Sequence, residues 1–146
     1  MIQTFGHLEF VLKTEKFVDL REVAQVPQAV CPTNPKTNEI LRDMIDQVMK
    51  LHPGIKRLHI GSDEVYQIGQ CALCMDKMSN LHIGTSELFL DHVRHIAKYV
   101  QEAYNVKPLM WDDMFRNTDE KLIAQYDLAS LVEVVVWDYH PGMIYC

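Results

Sequence analysis

The sequence lacks several features that would place it in a large class of proteins. No cluster of lysine and arginine is present and the formal net charge is −6, so we expect no nucleic-acid partner, whose phosphates require such clusters. No apolar run approaches the roughly 20 residues that span a bilayer, and no basic segment followed by an apolar core begins the chain. We therefore expect no membrane partner and a cytoplasmic or nuclear location.

Cysteine is also sparse, with four residues in 146, at Cys31, Cys71, Cys74 and Cys146. This number is too low for a small disulfide-stapled fold, so reduced thiols are expected. Cys71 and Cys74 have the spacing of half a zinc site or a redox pair, but no second Cys-x-x-Cys follows and no helix is predicted to begin at Cys71. We therefore predict no metal site and no cofactor.

The sequence does contain enough apolar material for one globular core, since 48% of its residues are hydrophobic and 23% are charged. Apolar residues recur at helical spacing over 38–51 and again from 88 to 100, with Asn105 as the expected end of the second helix. Shorter helices are predicted at 15–23 and 119–126. The prolines between 27 and 35 indicate a loop, and 65–81 is predicted to be irregular.

Four short strands are predicted between these helices, at 1–4, 58–60, 106–111 and 131–137. The last contains three consecutive valines, which favours a strand covered on both faces. Strands that alternate with helices indicate a parallel sheet with right-handed crossovers. Because each strand ends in polar or aromatic residues and a complete TIM barrel needs about 250 residues, we predict an α/β fold. Residues 1–146 would form about four units of a (β/α)8 barrel that lacks its first and last strands.

The chemical centre of the sequence is the adjacent pair Asp63 and Glu64, which follows the strand at 58–60. Neighbouring side chains of a regular strand point to opposite faces, so both acids can serve one site only where the backbone turns, as Gly61 and Ser62 favour. Two neighbouring carboxyl groups do not both ionise easily, so one is expected to have a raised pKa and to act as a general acid. A solvated loop is the alternative for such a pair.

The run His59-Ile60-Gly61-Ser62-Asp63-Glu64 resembles the His-x-Gly-x-Asp-Glu signature of the glycoside hydrolase family 20 β-N-acetylhexosaminidases. With Gln3-Thr4-Phe5-Gly6-His7 upstream and Trp111-Asp112-Asp113-Met114 downstream, the chain is most similar to the hexosaminidase D branch, over nearly its whole length. The resemblance implies a hydrolase that removes terminal β-linked N-acetylglucosamine or N-acetylgalactosamine from a glycoside with retention. In this family the substrate's own 2-acetamido oxygen is the nucleophile, and no metal is needed.

The resemblance also implies a role for each candidate residue. Glu64 would protonate the departing oxygen and later activate water, while Asp63 would orient the acetamido group. The implied substrate-binding residues are His7 in the acid–base network, Trp111 and Trp137 as apolar walls around the sugar, Asp112 at a sugar hydroxyl and Tyr139 at the acetamido carbonyl.

Two other functions stay open at this point. The carboxylates could bind a divalent metal together with His7 and His59, although a structural role is the preferred one for His59. Alternatively, the aromatic residues could bind a sugar without any bond being broken. An unclosed parallel sheet also exposes an edge prone to association, which makes a homo-oligomer one expected form of the chain.

Overall fold

A parallel sheet of three short strands forms the centre of the computed structural model, which describes residues 1–139. Its strands are β3 (Arg57–His59), β4 (Lys107–Trp111) and β5 (Glu133–Val135), in the order β3-β4-β5. Leu58 lies opposite Pro108, and Leu109 lies opposite Glu133. Because the strands are parallel, the residues that follow them meet at one edge of the sheet.

The first residues of the chain lie beside β3, although they form no regular strand as predicted for 1–4. The backbone N–H of Ile2 donates to the carbonyl of His59 at 2.8 Å, and the Thr4 hydroxyl donates to the carbonyl of Ile60 at 2.8 Å. These two bonds bring the loop that follows, including His7, to the same edge of the sheet.

The helices lie around this sheet, and the two longest, α2 and α4, present their apolar sides to the core. Asn34 caps α2 by accepting a hydrogen bond from the Lys36 N–H at 3.1 Å. Asn105 ends α4 in the left-handed conformation, with φ of 54°, as the sequence predicts. The helical segments are α1 (Glu9–Leu12), a 3₁₀ helix (Glu15–Leu20), α2 (Pro35–Leu51), α3 (Ala72–Leu81), α4 (Thr85–Tyr104), a 3₁₀ helix (Asp113–Phe115), α5 (Glu120–Gln125) and α6 (Leu128–Leu131).

Two segments differ from their predictions as loops. The proline-rich segment contains the strand β2 (Val26–Val30), which pairs with β1 (Arg21–Val23) in an antiparallel hairpin. Pro27 fits there because a strand in a two-stranded sheet has an edge on which no N–H is needed. The segment 65–81 contains α3, whose N-cap is Cys71, so the expectation that no helix begins there was wrong.

Two further predictions differ from the structure, one for the segment 15–23 and one for the valine-rich strand. The predicted helix at 15–23 is a 3₁₀ helix that ends at Leu20, where β1 follows. The valine-rich strand is not covered on both faces, since Val134 and Val136 are 46% and 69% exposed. Within residues 1–139, β5 pairs with β4 alone and is therefore an edge strand.

A buried histidine on α4 ties the N-terminal segment to the core. The His92 Nε2 atom donates to the carbonyl of Thr4 at 2.9 Å, and its ring lies 4.2 Å from that of Phe5. Burial lowers the pKa of His92 to about 4, so the ring is neutral at pH 7.

No helix within residues 1–139 has both the length and the apolar character needed to cross a membrane.

Candidate active site

The backbone turns sharply where β3 ends, as the predicted turn at Gly61 and Ser62 requires. Gly61, Ser62 and Glu64 have φ angles of 71°, 67° and 51°. Positive φ is uncommon for residues other than glycine and costs of the order of 1–3 kcal/mol for each residue. Such strain is concentrated at functional sites. Here the strained turn brings the carboxylates of Asp63 and Glu64 to the same side, next to His7.

His7 lies between the two carboxylates. Its Nε2 atom is 3.4 Å from Oδ2 of Asp63 and 3.2 Å from Oε2 of Glu64. The two acids differ in exposure, because the side chain of Asp63 is 16% exposed and that of Glu64 is 37% exposed. Asp63 is therefore the enclosed member of the pair and Glu64 the one open to a ligand.

Gln3 fixes the orientation of Asp63. Its amide nitrogen donates to Asp63 Oδ1 at 2.9 Å, and its amide oxygen accepts from the Ser62 N–H at 3.3 Å. Gly6 allows this close approach, since a Cβ atom at that position would lie 2.3 Å from the carbonyl oxygen of Asp63. Asp63 thus sits between Gln3 on one oxygen and His7 on the other.

Glu64 is held by its backbone. Gln28, from β2, donates to the Glu64 carbonyl at 3.0 Å, and the Glu64 N–H donates to Asp113 Oδ2 at 2.9 Å. The other oxygen of Asp113 accepts a hydrogen bond from the indole N–H of Trp137 at 3.3 Å. Asp113 therefore links the residues that follow β3, β4 and β5.

Asp112 and Trp137 are joined through Arg116. The two carboxylate oxygens of Asp112 accept hydrogen bonds from the Arg116 guanidinium, each at 2.7 Å. Oδ1 also accepts from the backbone N–H of Trp137 at 3.2 Å. Arg116 lowers the pKa of Asp112, which keeps that carboxylate ionised at neutral pH. The Arg116 guanidinium also lies 5.1 Å from the centre of the Trp137 ring.

Trp111 and Tyr139 complete the set of predicted site residues. The Trp111 ring lies 4.4 Å from that of His59, whose Nδ1 accepts a hydrogen bond from the Gly61 N–H at 3.0 Å. Burial lowers the pKa of His59, so a neutral ring supports the turn. The Tyr139 ring lies 5.3 Å from that of Trp137, and Tyr139 is 87% exposed.

Several residues at this edge were not given a role from the sequence. Asp113 and Gln3 lie inside the quoted motifs, so their position was a usable signal. Gln28 and Arg116 lie outside the quoted motifs. Gln28 contacts Glu64, which is 36 positions away in the sequence, so no local pattern indicates its role. Tyr66, which is 68% exposed, also lies here, and partial desolvation together with the negative charges of Glu64 and Asp113 raises the pKa of its hydroxyl.

A model of the glycosyl hydrolase family 20 catalytic domain matches residues 6–143 of the sequence. The chain belongs to glycosyl hydrolase family 20. The family resemblance predicted from the three motifs is therefore confirmed, and the strained acid pair lies within the matched region.

Two curated members of the family are similar over most of this chain. Proteins named Hexosaminidase D from Homo sapiens and Bos taurus are 43% and 40% identical to it over 140 residues, which is 95% of the chain in both cases. The chain spans 29% of the human protein and 40% of the bovine one.

A solved structure is similar to this chain in fold. The beta-N-acetylhexosaminidase from Bacteroides fragilis NCTC 9343 superposes with a TM-score of 0.68 at 17% identity, over 92% of this chain and 31% of that chain. The similarity supports the predicted fold class, an α/β fold of the TIM-barrel type.

Proposed function

We propose that this chain forms four β/α units of a β-N-acetylhexosaminidase barrel and carries its catalytic acids. The reaction would be hydrolysis of a terminal β-linked N-acetylgalactosamine or N-acetylglucosamine with retention, assisted by the substrate. The supporting observation is the Asp63–Glu64 pair, which shares His7 at the edge where parallel strands end. Family membership and the Hexosaminidase D relatives support the same reaction.

In this proposal Glu64 is the general acid, because its carboxyl is the more open of the two. It donates a proton to the leaving oxygen while the substrate's 2-acetamido oxygen attacks the anomeric carbon. The resulting Glu64 carboxylate then takes a proton from the water that opens the cyclic intermediate. Asp63, held by Gln3, accepts a hydrogen bond from the acetamido N–H and stabilises the positive charge that develops there.

The remaining candidates would bind the sugar. Trp111 and Trp137 offer flat apolar faces to the C–H surfaces of the ring. A carboxylate can accept about four hydrogen bonds, so Asp112 can still receive a sugar hydroxyl beside Arg116. The exposed hydroxyl of Tyr139 is available to donate to the acetamido carbonyl.

The first test is Glu64→Gln in a complete barrel that carries this segment, assayed with chromogenic β-N-acetylglucosaminide and β-N-acetylgalactosaminide. Loss of a general acid is expected to lower kcat by about 10²–10⁴-fold. The loss should shrink for substrates with a more acidic leaving group, because such a group departs without a proton. Glu102→Gln, an exposed change on α4, is the matched control. Unchanged turnover in Glu64→Gln would refute the assignment.

A second assay separates this function from the two alternatives. A glycoside with a hydroxyl in place of the 2-acetamido group lacks the internal nucleophile, so the proposal expects its hydrolysis to be slower by about 10² or more. A metal-assisted hydrolase would show no such dependence. A binding module would bind both glycosides without hydrolysing them, and Glu64→Gln would leave its affinity unchanged.

A further inference from the structure

Four residues from three separate segments form a second cluster, which the proposed reaction does not use. Glu22 lies on β1, Cys31 directly follows β2, Cys71 is the N-cap of α3, and Cys74 lies in its first turn. Glu22, Cys31 and Cys74 are buried, with at most 2% exposure. The side chains that this cluster brings together are ordinary ligands of transition metals.

The distances in the cluster lie on either side of those between the ligand atoms of a tetrahedral metal site. The Cys31 sulfur is 3.2 Å from that of Cys71 and 3.6 Å from that of Cys74, and the Cys74 sulfur is 3.3 Å from Glu22 Oε2. All four ligand atoms lie within 4.8 Å of one another. Zinc bonds of about 2.3 Å to sulfur and 2.0 Å to oxygen place ligand atoms about 3.5–3.8 Å apart.

The surrounding hydrogen bonds leave one ligand atom of each residue facing the others. Glu22 Oε1 accepts from the backbone N–H of Gln70 at 2.6 Å and of Cys71 at 3.1 Å, so Oε2 faces the sulfur atoms. The Cys74 N–H points to the Cys71 sulfur at 3.4 Å. Donors of this kind orient ligands and stabilise a thiolate bound to a metal.

The burial of Glu22 is a second, independent indication of a cation. A carboxylate removed from water requires a compensating charge or a proton. Within residues 1–139, Glu22 forms no ion pair with lysine, arginine or histidine. A divalent ion at the centre of the cluster would supply that charge.

We propose that Glu22, Cys31, Cys71 and Cys74 bind a structural Zn²⁺ ion. Three thiolates disfavour magnesium and calcium, which prefer oxygen ligands. An iron–sulfur cluster is normally held by four cysteines, whereas this site offers three and a carboxylate. Four protein ligands fill the tetrahedral coordination of zinc and leave no position for a substrate, so the role is structural.

The ion would join the β1–β2 hairpin to the start of α3. This hairpin carries Gln28, whose amide holds the carbonyl of Glu64. The metal would therefore brace, from outside the candidate active site, one of the segments that fixes the acid. The site and its test do not depend on the proposed glycosidase reaction.

The test begins with the 146-residue chain, purified with its thiols reduced and without chelator, and its zinc content measured by mass spectrometry. One equivalent per chain is expected. Cobalt(II) exchanged into the site should give the intense visible and charge-transfer bands of tetrahedral thiolate coordination. Cys74→Ser should lose both the zinc and the bands, whereas Cys146→Ser, at the remaining cysteine, should keep them.

Glu22→Gln tests the carboxylate, because glutamine retains an oxygen that can accept from Gln70 and Cys71. It should weaken zinc binding by at least about tenfold in competition with a chelating dye. A chelator should lower the melting temperature of the wild type and Cys146→Ser but not that of Cys74→Ser.

Either of two wild-type results would overturn the proposal without reference to any variant. One is a reduced, helical chain that holds far less than one equivalent of zinc and gives no thiolate bands with cobalt. The other is a Cys31–Cys71 disulfide in chain purified from a reducing cytosol, which would leave too few thiolates for the site. If the metal-free chain is unfolded, recovery of its helical circular dichroism on addition of zinc is the expected result.

Discussion

The position of Glu64 depends on residues that would not touch a substrate. Its N–H donates to Asp113, in the 3₁₀ helix after β4, and its carbonyl accepts from Gln28 on β2, so both ends of a strained residue are held by side chains from other segments. Asp113 has a second task, since its other oxygen accepts from Trp137. Asp113 is therefore a positioning residue for the acid and for one wall of the sugar site.

We expect Asp113→Ala to lower kcat of the complete enzyme by about 10²-fold, because a displacement near 1 Å of a catalytic group has effects of that size. Asp113→Asn keeps one acceptor oxygen and should recover part of the loss. Steady-state kinetics with the chromogenic substrates measure both. The control is Asp43→Ala, an exposed residue on α2, and a kcat for Asp113→Ala equal to that of this control would contradict the role.

At the level of helices and strands, the elements with a periodic apolar face were predictable. The helix α4 buries residues at regular helical spacing, and α2 does so as well, so both appear in the sequence pattern. The helix α3 has no such face, because Cys74 is its buried residue while Leu73, Met75 and Leu81 are exposed. Its formation depends on contacts that the periodicity of the sequence does not encode.

The same distinction applies to the two sites. Asp63, Asp112 and Trp137 follow successive strands of the sheet, so the parallel topology predicts that they meet, whereas His7 follows a segment that forms no regular strand. The cluster at Glu22 combines a hairpin with a helix start, but the sequence predicted β1 as the end of a helix at 15–23, β2 as a loop and the start of α3 as irregular. Cys-x-x-Cys was visible in the sequence, but Cys31 and Glu22 could not be assigned to it without the hairpin.

The capping of α2 gives a test at this scale. Asn34 satisfies the Lys36 N–H at the start of a 17-residue helix, and its amide nitrogen donates to the Asp19 carbonyl. Asn34→Ala is expected to lower the free energy of unfolding by about 1 kcal/mol. Asn34→Asp retains the cap and should lose less. Urea denaturation compares the two, and equal losses would show that the cap is not the source of the effect.

At the scale of the whole molecule, the buried His92 makes the stability of the fold depend on pH. Its ring donates a hydrogen bond that joins the N-terminal segment to α4. Its pKa is about 4 when folded, against 6.5 as the ordinary value. Between these values the unfolded chain binds a proton that the folded chain does not. The stability that this neutral ring contributes is thus fully present above pH 6.5 and is lost as the pH falls towards 4.

We expect this single group to reduce the free energy of unfolding by about 3 kcal/mol between pH 7 and pH 4, at 1.36 kcal/mol for each pKa unit. His92→Gln can donate to Thr4 without titrating, so its unfolding should be less dependent on pH over this range. The exposed His82, replaced by Asn to suit its left-handed backbone, is the control. Equal pH dependence in the wild type and His92→Gln would contradict the assignment.

The left-handed backbone conformation of Glu64 makes the residue that suits folding differ from the residue that the proposed reaction needs. Glycine adopts φ near 51° without the penalty of about 1–2 kcal/mol that other residues incur there. Glu64→Gly should therefore fold more stably while lacking the acid. The backbone at this position therefore favours glycine, whereas the proposed reaction requires a carboxyl group there.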